Sequence, residues 1–401
     1  LDGLVNRLRQ LPPGRVYAGL GGNWGAGFKV GDVPIYAYLQ SQGFDMLGYL
    51  YHALSLNADI QVLFDEQRQE EYNLFNVRYV VAPDSQTFPA FVQLVDSFGR
   101  FKLYQVATTG YFDLVGSDSA FVGNKHDFYS AASLWLSSDL PRVKQHTAIF
   151  LEGNATGYDN VFPLAQAADL IPMASFPLEP SRGEVTAEII GNNTYATQVN
   201  VTRPSYILFK ATYHPNWHAT LDGVDADIVM LMPSYMGIKV EPGVHQVLFE
   251  YRPQPWRTYL IFAGLLTLFI IAFVEWPRER ISRWVSQLSS SILKSRKQNI
   301  YGKISSWNPI GTKDAFLRIH LSSLGVLFGF ILLVGLPLFQ FKIMSGHDSM
   351  EYLPRVVEFF QDLKAGQLLP RWAADLSAGY GQPLFLFNPP LFYYLSSLFH
   401  A

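Results

Sequence analysis

The chain has 401 residues, a formal net charge of −3 and no cysteine. Its length allows two or more domains with sizeable cores, and its weak acidity speaks against a nucleic-acid partner. Without cysteine there is no disulfide framework and no cysteine-based metal or redox site, so an outside-facing domain must be held by packing alone. Hydrophobic residues at 49%, charged residues at 16% and a mean hydropathy of +0.10 read as an average over water-facing and membrane-embedded parts. The chain opens on Leu1 and stops at Ala401 inside an apolar run, which reads as a piece of a longer protein with no signal peptide expected at an internal cut.

Residues 1–115 mix a helix-like LVNRLRQL with the strand-like runs RVYAGL, VRYVVAP and FKLYQVA, which predicts an extracytoplasmic α/β region. Within it, GLGGNWGAG at 19–27 fails the dinucleotide fingerprint: the third glycine should fall at Trp24, and FKVGDVP does not open a helix. What is left is a flexible or carbohydrate-facing loop with Trp24 as a candidate stacking ring, against the plainer alternative of an ordinary loop. Residues 116–184 form a connecting region without a clear period. From 185 to 256, EVTAEII, TYATQVNVT, SYILFKATY, DADIVMLM, GIKV and HQVLFEY alternate between turns at Asn192-Asn193, Asp222-Gly223 and Pro242-Gly243, which predicts an antiparallel β-sandwich. His214 and His218 have the helical spacing of metal ligands, but Pro215 and the strand context favour structural histidines. Asn154, Asn192 and Asn200 head glycosylation sequons that three chance matches would also supply.

Thr258 to Val274 carries no charge and is flanked by Trp256, Tyr259 and Trp276, so 257–276 is expected to be a transmembrane helix. The uncharged run Leu321–Phe341 predicts a second one over 319–343. Between them, 277–318 holds nine Lys or Arg against Glu279 and Asp314, whereas residues 1–256 hold 16 basic and 25 acidic side chains. A basic connecting loop stays cytoplasmic, which places 1–256 and 344–384 on the extracytoplasmic side of a plasma membrane. Two buried core helices, or a nucleic-acid-binding loop, are the alternatives. Over 344–384, Met350, Leu353, Val356, Val357, Phe360 and Leu363 recur at helical spacing, with Glu351, Arg355, Glu358, Asp362 and Lys364 at other positions. This predicts an amphipathic surface helix capped by Ser349 and ended by Gly366. Residues 385–401 look like the start of a further, truncated transmembrane helix.

The segments GHDS, GQLLPRW, GYGQPLF and PPLFYYL resemble the first outer loop of polytopic GT-C-type membrane glycosyltransferases, in particular the family labelled pyruvoyl-tetrahydropterin-synthase-related, a label that carries no pterin chemistry here. ATYHPNWHATLDG, followed by GIKVEPGVHQVLFEYRP and a span, resembles the C-terminal outer domain of the YfhO-like bacterial membrane proteins. The likeness covers roughly 205–275 and 317–401, with FNVRYVVAP a looser match. Its order is reversed, a family C-terminus preceding a family N-terminus as though two units were joined tail to head. Asn388 departs from the pattern at a position where an aromatic residue often precedes Pro-Pro-Leu.

The resemblance implies sugar transfer from a polyprenyl-phosphate donor to a cell-envelope glycan or glycolipid acceptor at the outer face of a lipid bilayer. An acceptor hydroxyl is a poor nucleophile at neutral pH, so a carboxylate must take its proton or position a divalent cation. Asp348 is the candidate for both roles, with His347 orienting it or sharing the proton transfer; the plain alternative is that the pair caps the following helix. Arg371 would offset phosphate charge, and Trp372 and Tyr380 would stack on sugar. A second class of function is a non-enzymatic, membrane-anchored envelope protein whose outer domain binds a glycan or a protein partner. A transporter has less support, because neither run carries an ionisable residue at its centre.

Overall fold

The structure, a computed structural model, describes residues 1–48, 55–253 apart from 152, 154, 172–174 and 192, 255–273 apart from 257, residue 329 and 349–400. These fall into two compact units: Leu1–Pro253 with Met350–Ala401, and Gln254–Ser349.

Three sheets build the first unit. In spatial order the first holds Met46–Leu47, Arg15–Tyr17, Val77–Pro83, Phe101–Gln105 and Gln93–Phe98, parallel on one side and antiparallel on the other. Its central strand Val77–Pro83 is apolar on both faces because both are covered, whereas the edge strand Gln93–Phe98 is largely exposed. One face meets the helices Asp2–Arg9 and Ile35–Ser41 through Leu4, Leu8, Val16, Leu39, Tyr79 and Val81. The other joins a large core with Phe75, Phe128, Trp135 and Tyr235.

The second sheet runs Val161–Pro163, Ala120–Val122, Ala148–Phe150, Val229–Leu231, Tyr235–Val240, Ser205–Phe209 and Phe112–Val115. One face packs on the helix Lys125–Ser137. Through Phe112, Ile207, Phe209 and Ile238 the other face meets the third sheet, which contributes Tyr195, Val199, Trp217, Val247 and Phe249. That third sheet is antiparallel: Gly183–Ile190, Thr194–Val201, Gly243–Tyr251, Trp217–Leu221 and Val224–Ala226. Its outer face is water-facing, which is why exposed Ile189 and Val244 alternate with half-buried neighbours.

Two expectations are corrected. The sandwich is not contained in 185–256: Ser205–Phe209, Val229–Leu231 and Tyr235–Val240 belong to the second sheet, where Ser205–Phe209 pairs with Phe112–Val115 and Val229–Leu231 with Ala148–Phe150, so the connecting region supplies three of the seven strands of one layer. The transmembrane helices, the fold class that included them, and the multi-pass placement drawn from them are not supported. Among the described residues, no helix is long and apolar enough to cross a membrane. Where 257–276 was expected to span, residues 256 and 258–273 are helical and 257 and 274–276 lie outside the described residues. The basic loop 277–318 lies outside the described residues, as does the run 321–341 apart from residue 329. The terminal helix is described over Pro390–His400, 11 residues.

The helix Ser349–Lys364 forms where its periodicity placed it, with Pro354 inside it. Its inward face is not the one expected from the pattern. Val356, Phe359, Glu358 and Asp362 are buried, while Tyr352 and Leu353 are exposed. Phe359 anchors it against Phe385, Tyr393 and Tyr394.

Candidate functional site

The expected site residues divide three ways. His347 and Asp348 lie outside the described residues. Arg371 is half-buried. Trp372 and Tyr380 are 1% and 0% exposed, so neither ring offers a face to a sugar in this arrangement. Instead Trp372 closes the end of the sandwich, 4.4 Å from the Tyr251 ring, 5.4 Å from Trp217 and 5.9 Å from His214. Reciprocal backbone hydrogen bonds between Ala373 and Gln382 hold the two arms of the segment together. Gly381, at φ +75, is needed there, because a Cβ would stand 2.4 Å from the Trp372 ring.

Between those arms the backbone turns left-handed at Ser377 (φ 55), Ala378 (φ 57) and Gly379 (φ 66). Each non-glycine residue in that region costs about 1–2 kcal/mol. Arg15, wholly buried, offsets the cost. Its Nε donates to Ala378 O at 2.5 Å, Nη2 to Gly379 O at 3.1 Å and Lys210 O at 2.7 Å, and Nη1 to Phe75 O at 3.0 Å. Its guanidinium lies 3.7 Å from the Tyr380 ring centre. Nearby, Tyr111 OH donates to Asp45 at 2.5 Å and the Asp375 amide donates to Glu358 Oε1 at 3.1 Å. Burial, together with the crowding of these carboxyls, pushes Glu358 well above the carboxylate range and Asp375 up to about 7. Protons rather than cations therefore neutralise part of this junction.

The glycine loop is an ordinary structural turn. Gly19 and Gly25 touch backbone to backbone, and Glu66 Oε1 accepts from Tyr17 OH (2.6 Å), Trp24 Nε1 (2.7 Å) and Asn23 Nδ2 (3.1 Å). Trp24 packs among Tyr17, Phe28 and Phe88. His214 accepts from the Asn216 amide and is held down to about 4 by burial, whereas His218 is exposed on its strand. Among the described residues no group of three or more His, Asp or Glu could hold a metal ion. Asp348, the ligand expected for a divalent cation, lies outside them.

The open chemistry sits elsewhere, along the edge strand Phe112–Val115, the turn 139–147 and the segment 176–185 that leads into the third sheet. Two hollows of about 550 and 370 Å3 share Val143 and Glu179 on their common wall. Both sizes fall within the roughly 300–1,000 Å3 of small-ligand clefts. Asp113, Arg142, Lys144, Arg182, Arg203 and two threonines line the larger one. Phe121, Phe162, Phe176 and Ile171 line the smaller one, with Asp118, Gln145 and His146 among them. Asp139 clamps this wall, binding Arg142 through both oxygens at 2.6 Å and accepting the Phe176 amide at 2.6 Å, and Arg142 holds its carboxyl at about 2. His146 Nδ1 donates to Met232 O at 2.6 Å. Burial lowers its pKa to about 4, so the ring is neutral at pH 7 and its second nitrogen is an acceptor.

No family model, no curated protein and no solved structure matches the chain. The resemblance to GT-C-type transferases and YfhO-like proteins stands on the quoted motifs alone.

Lys210 and Asp113 show what the sequence signal was. Lys210 interrupts the apolar run SYILFKATY, and a charge inside such a strand needs a buried partner. It finds three: Nζ donates to Asn73 O, Thr109 Oγ1 and Gly110 O at 2.7–2.9 Å. Arg15 heads the buried strand of RVYAGL in the same way.

Proposed function

We propose that this protein recognises a glycan in the groove made by the two adjoining hollows. A sugar presents hydroxyl edges, which planar polar side chains recognise, and apolar C–H faces, which aromatic rings cover. The groove pairs both kinds of wall, with Arg182, Glu179 and Asp113 in the larger hollow and the half-buried rings of Phe162 and Phe176, beside Gln145, in the smaller. That adjacency is the observation that carries the proposal. Sugar transfer from a polyprenyl-phosphate donor would draw on His347 and Asp348, which lie outside the described residues. No geometry therefore favours transfer over recognition alone.

Calorimetric titration of the full chain with soluble envelope-type oligosaccharides should give saturable binding. Phe162→Ala removes a half-buried ring from an edge strand and should weaken it about tenfold, the equivalent of 1.4 kcal/mol. Binding that Phe162→Ala and Gln145→Ala leave untouched would place the glycan elsewhere.

A further inference from the structure

The ion pairs of the larger hollow are uneven. Asp113, 5% exposed, is shared by two cations, Lys144 Nζ at 2.8 Å and Lys210 Nζ at 4.0 Å. Its other neighbours are neutral donors, Asn73 Nδ2 and the Leu114 amide, both at 2.8 Å. Glu179 is likewise shared by two cations, Arg182 Nη2 at 2.7 Å and Arg203 Nη2 at 2.9 Å. Glu179 is thus outnumbered two to one, and Asp113 faces Lys144 together with Lys210, whose charge burial makes partial. Arg142 is matched by Asp139, and Glu184 adds an exposed carboxylate at the rim. The surplus positive charge is concentrated in two clusters on the inner walls.

The chain is shaped to keep those cations there. Lys144 sits at φ +55, a backbone conformation that costs a lysine about 1–2 kcal/mol and that glycine would adopt freely. Its half-exposed side chain reaches Asp113 from that turn. Arg182, 11% exposed at its side chain, lies against Gly116, where a Cβ would stand 2.4 Å from Nη2. Burial brings the Lys210 ammonium down to about 7 against the pull of Asp113.

Building on the glycan-binding proposal, we infer that the larger hollow selects an acidic glycan: one sugar residue bearing a carboxylate or a phosphate ester lies against Lys144 and the Arg182–Arg203 pair. An anion there completes the charge balance of both clusters. It also meets planar guanidinium groups suited to paired hydrogen bonds.

Three probes separate the possibilities: a uronic-acid oligosaccharide, the same oligosaccharide with its carboxylates reduced to alcohols, and a phosphorylated neutral oligosaccharide. Each is titrated into the full chain at low and at physiological salt. The acidic probes should bind at least about tenfold more tightly than the reduced one, and the gap should narrow with salt. Lys144→Gln together with Arg182→Gln should bring all three to the affinity of the reduced probe, with circular dichroism unchanged. Preference for the uronic over the phosphorylated probe, or the reverse, identifies which anion is meant. Equal affinity for all three would overturn acid selection and leave the glycan groove standing. Binding of none would remove the groove itself. An acidic preference that survives the double substitution would mean attraction to some other surface and would also overturn the inference.

Discussion

The junction around Arg15 and the groove around Asp113 hold similar side chains and use them in opposite ways. At the junction a fully buried guanidinium spends its donors on backbone carbonyls, and the neighbouring carboxyls Asp45, Asp375 and Glu358 are pushed upward, so that protons do the neutralising. In the groove, burial also pushes Asp113 upward, but Lys210 and Lys144 outweigh it and hold the carboxyl below its usual value. The exposure of Lys144 and Arg203 keeps water, or a ligand, within reach. Charge that is closed off by backbone and protons fastens a segment. Charge that is balanced by half-exposed cations is available to a partner.

The largest expected effect breaks the junction. Arg15→Met leaves the carbonyls of Phe75, Lys210, Ala378 and Gly379 without their donor and should cost about 3–5 kcal/mol in urea unfolding. Limited proteolysis should open first at 366–382, where the left-handed turn loses its support. Undiminished stability would mean that the turn does not depend on the guanidinium.

Next in size is Glu66→Ala, which releases Tyr17, Asn23 and Trp24 together. The loss should be about 2 kcal/mol, as for a hydrogen-bonded charge, and Trp24 fluorescence should shift to the red. It tests whether a half-buried carboxylate can fasten a loop as the junction fastens a segment.

The two regions should also differ in their response to pH. Asp375 and Glu358 have raised values in the folded state, so below pH 4 their contribution to packing is fully present, and it is lost as pH rises through about 7. Other groups in their surroundings are Asp45, Asp362, Arg15, Tyr111 and Tyr195. Amide exchange over 373–382, corrected for intrinsic rate, should therefore quicken between about pH 6 and 8, and Asp375→Asn should flatten that rise. Asp113 has the opposite sign. Its lowered value supplies stability above the ordinary carboxylate pKa that is lost as pH falls through the folded value, so between about pH 6 and 8 the groove wall should change only as its buried neighbour Lys210, brought down to about 7, loses its proton.

The smallest stability effect sharpens the contrast from the other side. Lys144→Gly relieves a left-handed residue while removing a half-exposed ion pair, so unfolding free energy should stay within about 1 kcal/mol of the parent. Discrimination between acidic and neutral oligosaccharides should still fall.

Local structure was legible wherever a residue's own pattern decides it. Strands fall at RVYAGL, VRYVVAP, TYATQVNVT and HQVLFEY as their alternation indicated. Asp222-Gly223 makes its hairpin with both residues at positive φ. Which sheet a strand joins was not legible, since Ser205–Phe209 reads like its neighbours and yet pairs with Phe112–Val115, nearly a hundred residues away. The buried faces of Glu358 and Asp362 were misplaced for a related reason: a helical pattern counts acids as water-facing, and only the tertiary structure reveals that both are buried and that burial raises Glu358. The expectation of spanning helices rested on apolar run length, and among the described residues no helix is long and apolar enough to cross a membrane. The groove escaped notice because Asp113, Lys144, Glu179 and Arg203 are scattered over ninety residues with no shared motif.

Hydrogen exchange of the full chain with and without a saturating acidic oligosaccharide bears most directly on where a ligand sits. If the groove is the binding site, amides of 142–147 and 176–183 should slow while those of 15–17 and 373–382 keep their rates. Protection confined to the Arg15 junction, or none along the groove, would contradict it.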